Sequence, residues 1–170
     1  IGRRFHSAPV VRLSDAKQMQ LGHAAEADAR WRIYAFAGQA DGSNQGSAIH
    51  KLADWLETSP DSPVVRHTRQ GEDIDAVIDL RAVFQQTFDQ LAYEDMPSLL
   101  KPKTGKLGLQ DHEKVFCVDH KGVGDIFDMR RINRETGCMV VVRPDQYIAH
   151  VLPLDGTAEL AAFFAGVLRG

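Results

Sequence analysis

MVVVRPDQYIAHVLPL, residues 139–154, reads as two apolar runs joined by a polar turn. Met139 to Arg143 is a predicted strand, and Tyr147 to Leu152 is its return strand. Pro144 and Asp145 suit the centre of a type I turn. Proline presets φ at the second position of such a turn and aspartate tolerates the third. The hairpin runs into a last helix, expected to be capped by Thr157. Along that helix Leu160, Phe163, Phe164, Val167 and Leu168 recur at helical spacing.

Working back from the hairpin, Asp125 to Ile132 reads as a short helix and Val115 to Asp119 (VFCVD) as a short buried strand. Residues 95–114 are polar, basic and interrupted by prolines and glycines, the pattern of a long loop. In residues 76–84 (AVIDLRAVF), Ile78, Leu80, Ala82 and Phe84 fall on one side, with Asp79 and Arg81 on the other. That alternation predicts a half-buried strand. Ile49, Leu52, Ala53 and Leu56 share one face of a helix that Ser59-Pro60 stops. Residues 40–45 (ADGSNQ) form a loop before it. Trp31 to Ala37 (WRIYAFA) is a strand apolar enough to sit centrally, covered on both faces.

The order strand, helix, strand implies parallel pairing, and the terminal hairpin adds an antiparallel part. The fold class is α/β: a thioredoxin-like mixed sheet flanked by helices, without a CxxC redox motif. Residues 1–29 have weak periodicity and read as an extended arm or linker from an upstream domain, with a short strand at Val10 to Leu13. Residues 30–170 form the domain itself.

The 170 residues suit one domain, with 44% hydrophobic and 25% charged residues. A net charge of −3 provides no clustered basic face for nucleic acid. No apolar run approaches the roughly 18 residues of a membrane span. Ile1 to His6 (IGRRFH) is followed by no apolar stretch of a secretory signal, so a cytoplasmic location is expected. The chain starts without Met, as a segment cut from something longer would.

The candidate chemistry is sparse. Cys117 and Cys138 form neither a CxxC pair nor a zinc cluster. They read as buried free thiols, with a single disulfide between them as the alternative. A one-cysteine thiol enzyme is a weaker option, since neither has an activating base or helix N-terminus beside it in sequence. Gly122-Val123-Gly124 after a strand invites a dinucleotide loop, but the third glycine position holds Phe127. Thr104-Gly105-Lys106 resembles part of a phosphate loop, yet both Leu100 and Leu107 break the pattern, leaving a mobile basic loop. Asp111-His112-Glu113 and Asp119-His120 carry ligand atoms at spacings that do not converge on a metal, and read as solvated loop residues. His150 reads as a satisfied surface histidine. No catalytic, cofactor-binding or metal residue is therefore assigned.

Four phrases are more specific than this chemistry: GRRFHSAPVVRL (2–13), IDLRAVF (78–84), KVFCVDHKGVGDIFDMRRIN (114–133) and the opening hairpin. Together they resemble the C-terminal domain of the phenol 2-monooxygenase family of flavoprotein aromatic hydroxylases, and most closely its 3-hydroxybenzoate 4-monooxygenase type. The resemblance covers essentially the whole chain and is sharpest from Val141 to Ala149. The family usually has glycine where this chain has Gln146. The resemblance implies a larger parent that hydroxylates a phenol ring with FAD, NADPH and oxygen. Its FAD and substrate domains would lie upstream, and the parent would be a homodimer. It implies that this chain is the structural and dimerisation part, with no catalytic site, no affinity for FAD, and an exposed apolar or aromatic patch where its neighbours pack. The arm at residues 1–13 would pack against those neighbours. A stand-alone, redox-inactive thioredoxin-like binding module is the alternative.

Overall fold

The terminal hairpin forms as its sequence demands in a computed structural model that describes residues 1–42, 44–122 and 124–168. In chain order the strands are β1 (Pro9–Arg12), β2 (Gln18–Gln20), β3 (Trp31–Phe36), β4 (Ile78–Phe84), β5 (Lys103–Thr104), β6 (Leu109–Gln110), β7 (Val115–Val118), β8 (Cys138–Val142) and β9 (Ile148–Leu152). The helices are α1 (Ala48–Thr58), α2 (Pro63–His67), α3 (Ile126–Arg130) and α4 (Thr157–Val167). Seven strands make one sheet in the order β2-β1-β7-β4-β3-β8-β9, and β5 pairs with β6 as a separate ribbon. The β3–β4 and β4–β7 pairs are parallel; the outer pairs are antiparallel. The mixed sheet is thus the expected one.

The turn at 143–146 closes with the Gln146 N–H donating to the Arg143 carbonyl at 2.9 Å. Pro144 and Asp145 occupy its centre. Gln146 then adopts φ +68°. That left-handed conformation is the one glycine adopts without cost, which gives a physical reason for glycine at this place in the resembled family.

Side chains of the central strands alternate between two cores. On the first face Ile33, Ala35, Leu80, Phe84 and Val141 meet α1 through Leu52 and Leu56, and α4 through Leu160 and Phe164. On the second face Tyr34, Phe36, Val83, Phe116 and Val140 meet α3 and the N-terminal segment, which supplies Phe5, Ala8, Leu21 and Ala24. Phe5 stacks on Tyr34 with ring centroids 4.3 Å apart.

Local signals explain the helix ends. Ser47 Oγ accepts the His50 N–H and caps α1, which stops at Ser59 before Pro60. Ser62 caps α2, with Pro63 at its first position. Asp125 caps α3 through the Phe127 N–H at 2.7 Å. Gly137, with φ +63°, precedes β8 so closely packed that an added Cβ would lie 2.1 Å from the Phe36 carbonyl oxygen.

Four expectations need correction. Thr157 is the first residue of α4; the cap position is Gly156, so no side chain caps this helix. β4 is buried along its whole length rather than half-buried, and Asp79 and Arg81 lie inside the protein. Residues 95–114 are not one open loop. Met96, Leu99 and Leu100 enter the first core, and Lys103–Thr104 pairs with Leu109–Gln110. Residues 1–29 are not an extended arm beside the sheet: the short strand expected at Val10 to Leu13 forms as β1 and sits within the sheet, between β2 and β7.

Candidate functional site

The two thiols are free. They lie on β7 and β8, which β4 and β3 separate. Three strand spacings amount to about 14 Å, beyond the reach of a disulfide. Burial pushes the Cys117 thiol up to about 12 and the Cys138 thiol to about 11. Both are therefore protonated at neutral pH, the opposite of an activated nucleophile.

The other singled-out residues are held by local structure. In Gly122-Val123-Gly124, Val123 lies outside the described residues. Phe127 is buried edge-on against Phe36, ring centroids 5.5 Å apart. It fills the space that a dinucleotide loop keeps open with its third glycine, so the described residues do not fit a flavin or nicotinamide cofactor there. Gly105 turns the small ribbon, its N–H donating to Asp73 Oδ2 at 2.9 Å. Thr104 belongs to β5, so this segment is a hairpin and not a loose basic loop.

His112 and Glu113 are exposed, as expected of solvated residues, and Asp111 is part-buried, but each also has a partner. Asp111 approaches Lys114, His112 packs against the Tyr93 ring, and Glu113 pairs with Arg12. Asp119 accepts from Gln18 Nε2 at 3.2 Å and from the Lys121 N–H at 3.1 Å. His120 Nε2 lies 3.2 Å from the Gln85 carbonyl. His150 is half-buried, edge-on to Phe163. Among the described residues no group of three or more His, Cys, Asp or Glu could hold a metal ion.

A buried charge network, absent from the sequence reading, occupies the second face. Lys114 is fully buried; its Nζ reaches Asp79 Oδ1 at 2.6 Å, Asp75 Oδ2, and Asp111 Oδ2 at 3.3 Å. Arg81 binds Asp79 at 2.8 Å and also donates to the Ala24 carbonyl. Arg32 donates to the Glu26 carbonyl at 2.9 Å and to Asp28 at 2.8 Å. Arg30 bridges Asp28 and Asp75. Burial alone would raise the Asp79 carboxyl, but Arg81 and Lys114 outweigh it and hold the group below its ordinary range. Burial would lower the Arg81 guanidinium; Asp79 outweighs that and holds it above. The charges pair with one another, although Arg32 Nε makes no hydrogen bond, and the network anchors residues 24–30 to the sheet. A sequence signal existed: Asp79 and Arg81 sit within an otherwise apolar strand, and buried charges need partners.

The other surface feature is an open apolar groove of about 800 Å³ between β9 and α4. Trp31, Tyr147, Ile148, Ala149, Phe163 and Val167 line it. Trp31 stands edge-on to both Phe163 and Phe164, at 5.8 and 5.5 Å. Tyr147 and Val167 are 44% and 46% exposed, so the apolar stripe of α4 is only partly covered. Arg143 and Asp145 also line it and pair with each other at 2.6 Å, and the apolar remainder suits association.

Comparisons with known proteins agree with this picture. Yeast Sco1 superposes with a TM-score of 0.53 at 8% identity, over 97% of this chain and 94% of that one. A Bacteroides thetaiotaomicron protein whose name proposes a disulfide isomerase superposes at 0.54 and 11% identity, over 99% and 87%. The fold is thioredoxin-like, and such low identities carry the fold alone. In sequence, the chain is 53% identical to 3-hydroxybenzoate 4-monooxygenase of Comamonas testosteroni, over 99% of this chain and 27% of that protein. It is 32% identical to the FAD-dependent monooxygenase terD of Aspergillus terreus, over 99% and 28%. The chain thus spans about a quarter of the curated relatives it matches. The family model described as the phenol hydroxylase C-terminal dimerisation domain matches residues 1–170. With the redox thiols missing from a thioredoxin-like frame and the whole chain matched, this chain belongs to the family of phenol hydroxylase C-terminal dimerisation domains.

Proposed function

We propose that the chain is the C-terminal association domain of an FAD-dependent aromatic-ring monooxygenase, and that it performs no chemistry itself. The observation that carries this reading is the 53% identity over 99% of the chain to one quarter of 3-hydroxybenzoate 4-monooxygenase. The parent reaction would be hydroxylation of a phenol or 3-hydroxybenzoate with FAD, NADPH and oxygen. The flavin would supply the oxygen chemistry. This domain would supply rigidity and a surface on which the parent pairs as a homodimer.

The groove beside Trp31 supports that role. It is apolar, open and rimmed by Ile1 and Gly2, so any chain that precedes Ile1 leaves from its edge. The division into a segment at 1–29 that follows an upstream domain and a domain at 30–170 belongs to the same reading. Among the described residues no helix is long and apolar enough to cross a membrane. Two protonated free thiols fit a reducing cytoplasm.

The test uses the purified chain. Added FAD should leave its absorption spectrum the simple sum of the parts, phenol-dependent NADPH oxidation should be absent, and sedimentation equilibrium should show a dimer. Tight flavin binding or turnover would refute the reading. A monomer at high concentration would refute the association role.

A further inference from the structure

Every described arginine outside one cavity, except Arg69, pairs with a carboxylate. Arg3, Arg4, Arg130 and Arg131 have no such partner among the described residues, and all four line a single concavity of about 530 Å³. His6 lines it too, and no acidic residue does. In a chain of net charge −3 this gathering of unpaired cations is not a sampling of the surface composition.

The floor is apolar, formed by Ala8, Ile132, Val140 and Ile148. Two separate segments bring the cations together. The backbone of residues 2–5 is fixed along the start of β9, and α3 ends with Arg131 at φ +55°. Arg130 is positioned in advance: its guanidinium lies 3.9 Å over the Phe5 ring and one amino group donates to the His6 carbonyl. Its Nε is buried with no hydrogen-bond partner. Burial pushes the Arg130 pKa down, a shift that a bound anion would oppose.

We infer that this cavity is a binding site for a small organic carboxylate, whose apolar body rests on the floor while the arginine forks hold the carboxylate. Guanidinium groups match a planar carboxylate in bidentate geometry, and the volume lies within the range of small-molecule sites. A phosphate would satisfy the arginines but leave the apolar floor unused. This site is separate from the groove beside Trp31 and does not depend on the association reading.

The experiment is an NMR titration of the 170-residue chain with benzoate, inorganic phosphate and benzyl alcohol. Benzoate should saturate, with shifts confined to residues 3–8, 129–133, 138–140 and 148–151. Phosphate and benzyl alcohol should each bind about tenfold more weakly or worse, since each lacks one half of the recognition. Arg4 and Arg131 are exposed, so Arg4→Gln and Arg131→Gln leave the fold intact. Each should weaken benzoate about tenfold without changing thermal unfolding. Equal binding of phosphate and benzoate, shifts scattered over the surface, or unaltered benzoate binding by both variants would overturn the proposal.

Discussion

The two faces of the sheet are covered by different means. On the first, α1, α2 and α4 lay apolar side chains on apolar strands, and burial of hydrocarbon accounts for the attachment. On the second, the N-terminal segment takes most of that place. A segment with little regular structure cannot bury its backbone groups by itself. Arg81 and Arg32 meet that need by donating to the carbonyls of Ala24 and Glu26, and Asp79 and Lys114 hold the arginine side of the network in place. The contrast teaches that buried charge here serves geometry: it lets irregular chain act as a layer.

The sharpest way to break that contrast is Lys114→Met. It leaves Asp75 and Asp79 buried without their shared cation, and urea unfolding should show a loss of about 3–5 kcal/mol. A near-neutral result would mean that the second face is held by its apolar contacts after all. On the first face, Leu56→Ala should cost about 3 kcal/mol by cavity formation. Its loss should show no dependence on pH.

A pH series separates the faces further. The Asp79 carboxyl is held below its unfolded value of about 3.9, so its contribution is full above that value and is lost as pH falls through the folded pKa. Asp79→Asn removes this titration. The stability gap between the unmodified chain and the variant should therefore narrow below about pH 4, measured by denaturant unfolding. A constant gap would show that Asp79 acts through shape alone. The smallest effect concerns neither face but the turn between β8 and β9. Gln146→Gly should raise stability by about 0.5–1 kcal/mol, because it relieves a left-handed non-glycine residue.

Most of the first face was legible in the sequence. The spacing of Ile49, Leu52, Ala53 and Leu56 and the hairpin at 139–154 are local patterns, and local patterns suffice when burial is apolar. The second face was not, because its partners come from distant segments. Lys114 ends what reads as a basic loop, and nothing near it in sequence announces Asp75 and Asp79 as its companions. Alternation in β4 separated Asp79 and Arg81 from their neighbours correctly, but read that side as open to water. In the N-terminal segment the short strand at Val10 to Leu13 was legible, but its place inside the sheet was not, because β1 pairs with β7, about a hundred residues away in sequence. The candidate surface was partly legible. The apolar stripe of α4 was plain, whereas the four arginines that share one cavity come from opposite ends of the sequence.

The bonds between residues 2–5 and the start of β9 bear on how the chain is made. Gly2 donates to the Ile148 carbonyl, Ile148 donates back to Arg3, and Arg4 and Gln146, which also touch, are 142 positions apart. A ribosome moving at about 5–20 residues per second therefore leaves residues 2–5 without these partners for roughly 7–30 s. Tyr34, the ring on which Phe5 stacks, is made early in that interval, but the bonds that hold residues 2–5 along β9 cannot yet form. The fold closes like a clasp, residues 2–5 fastened by a strand synthesised long after them.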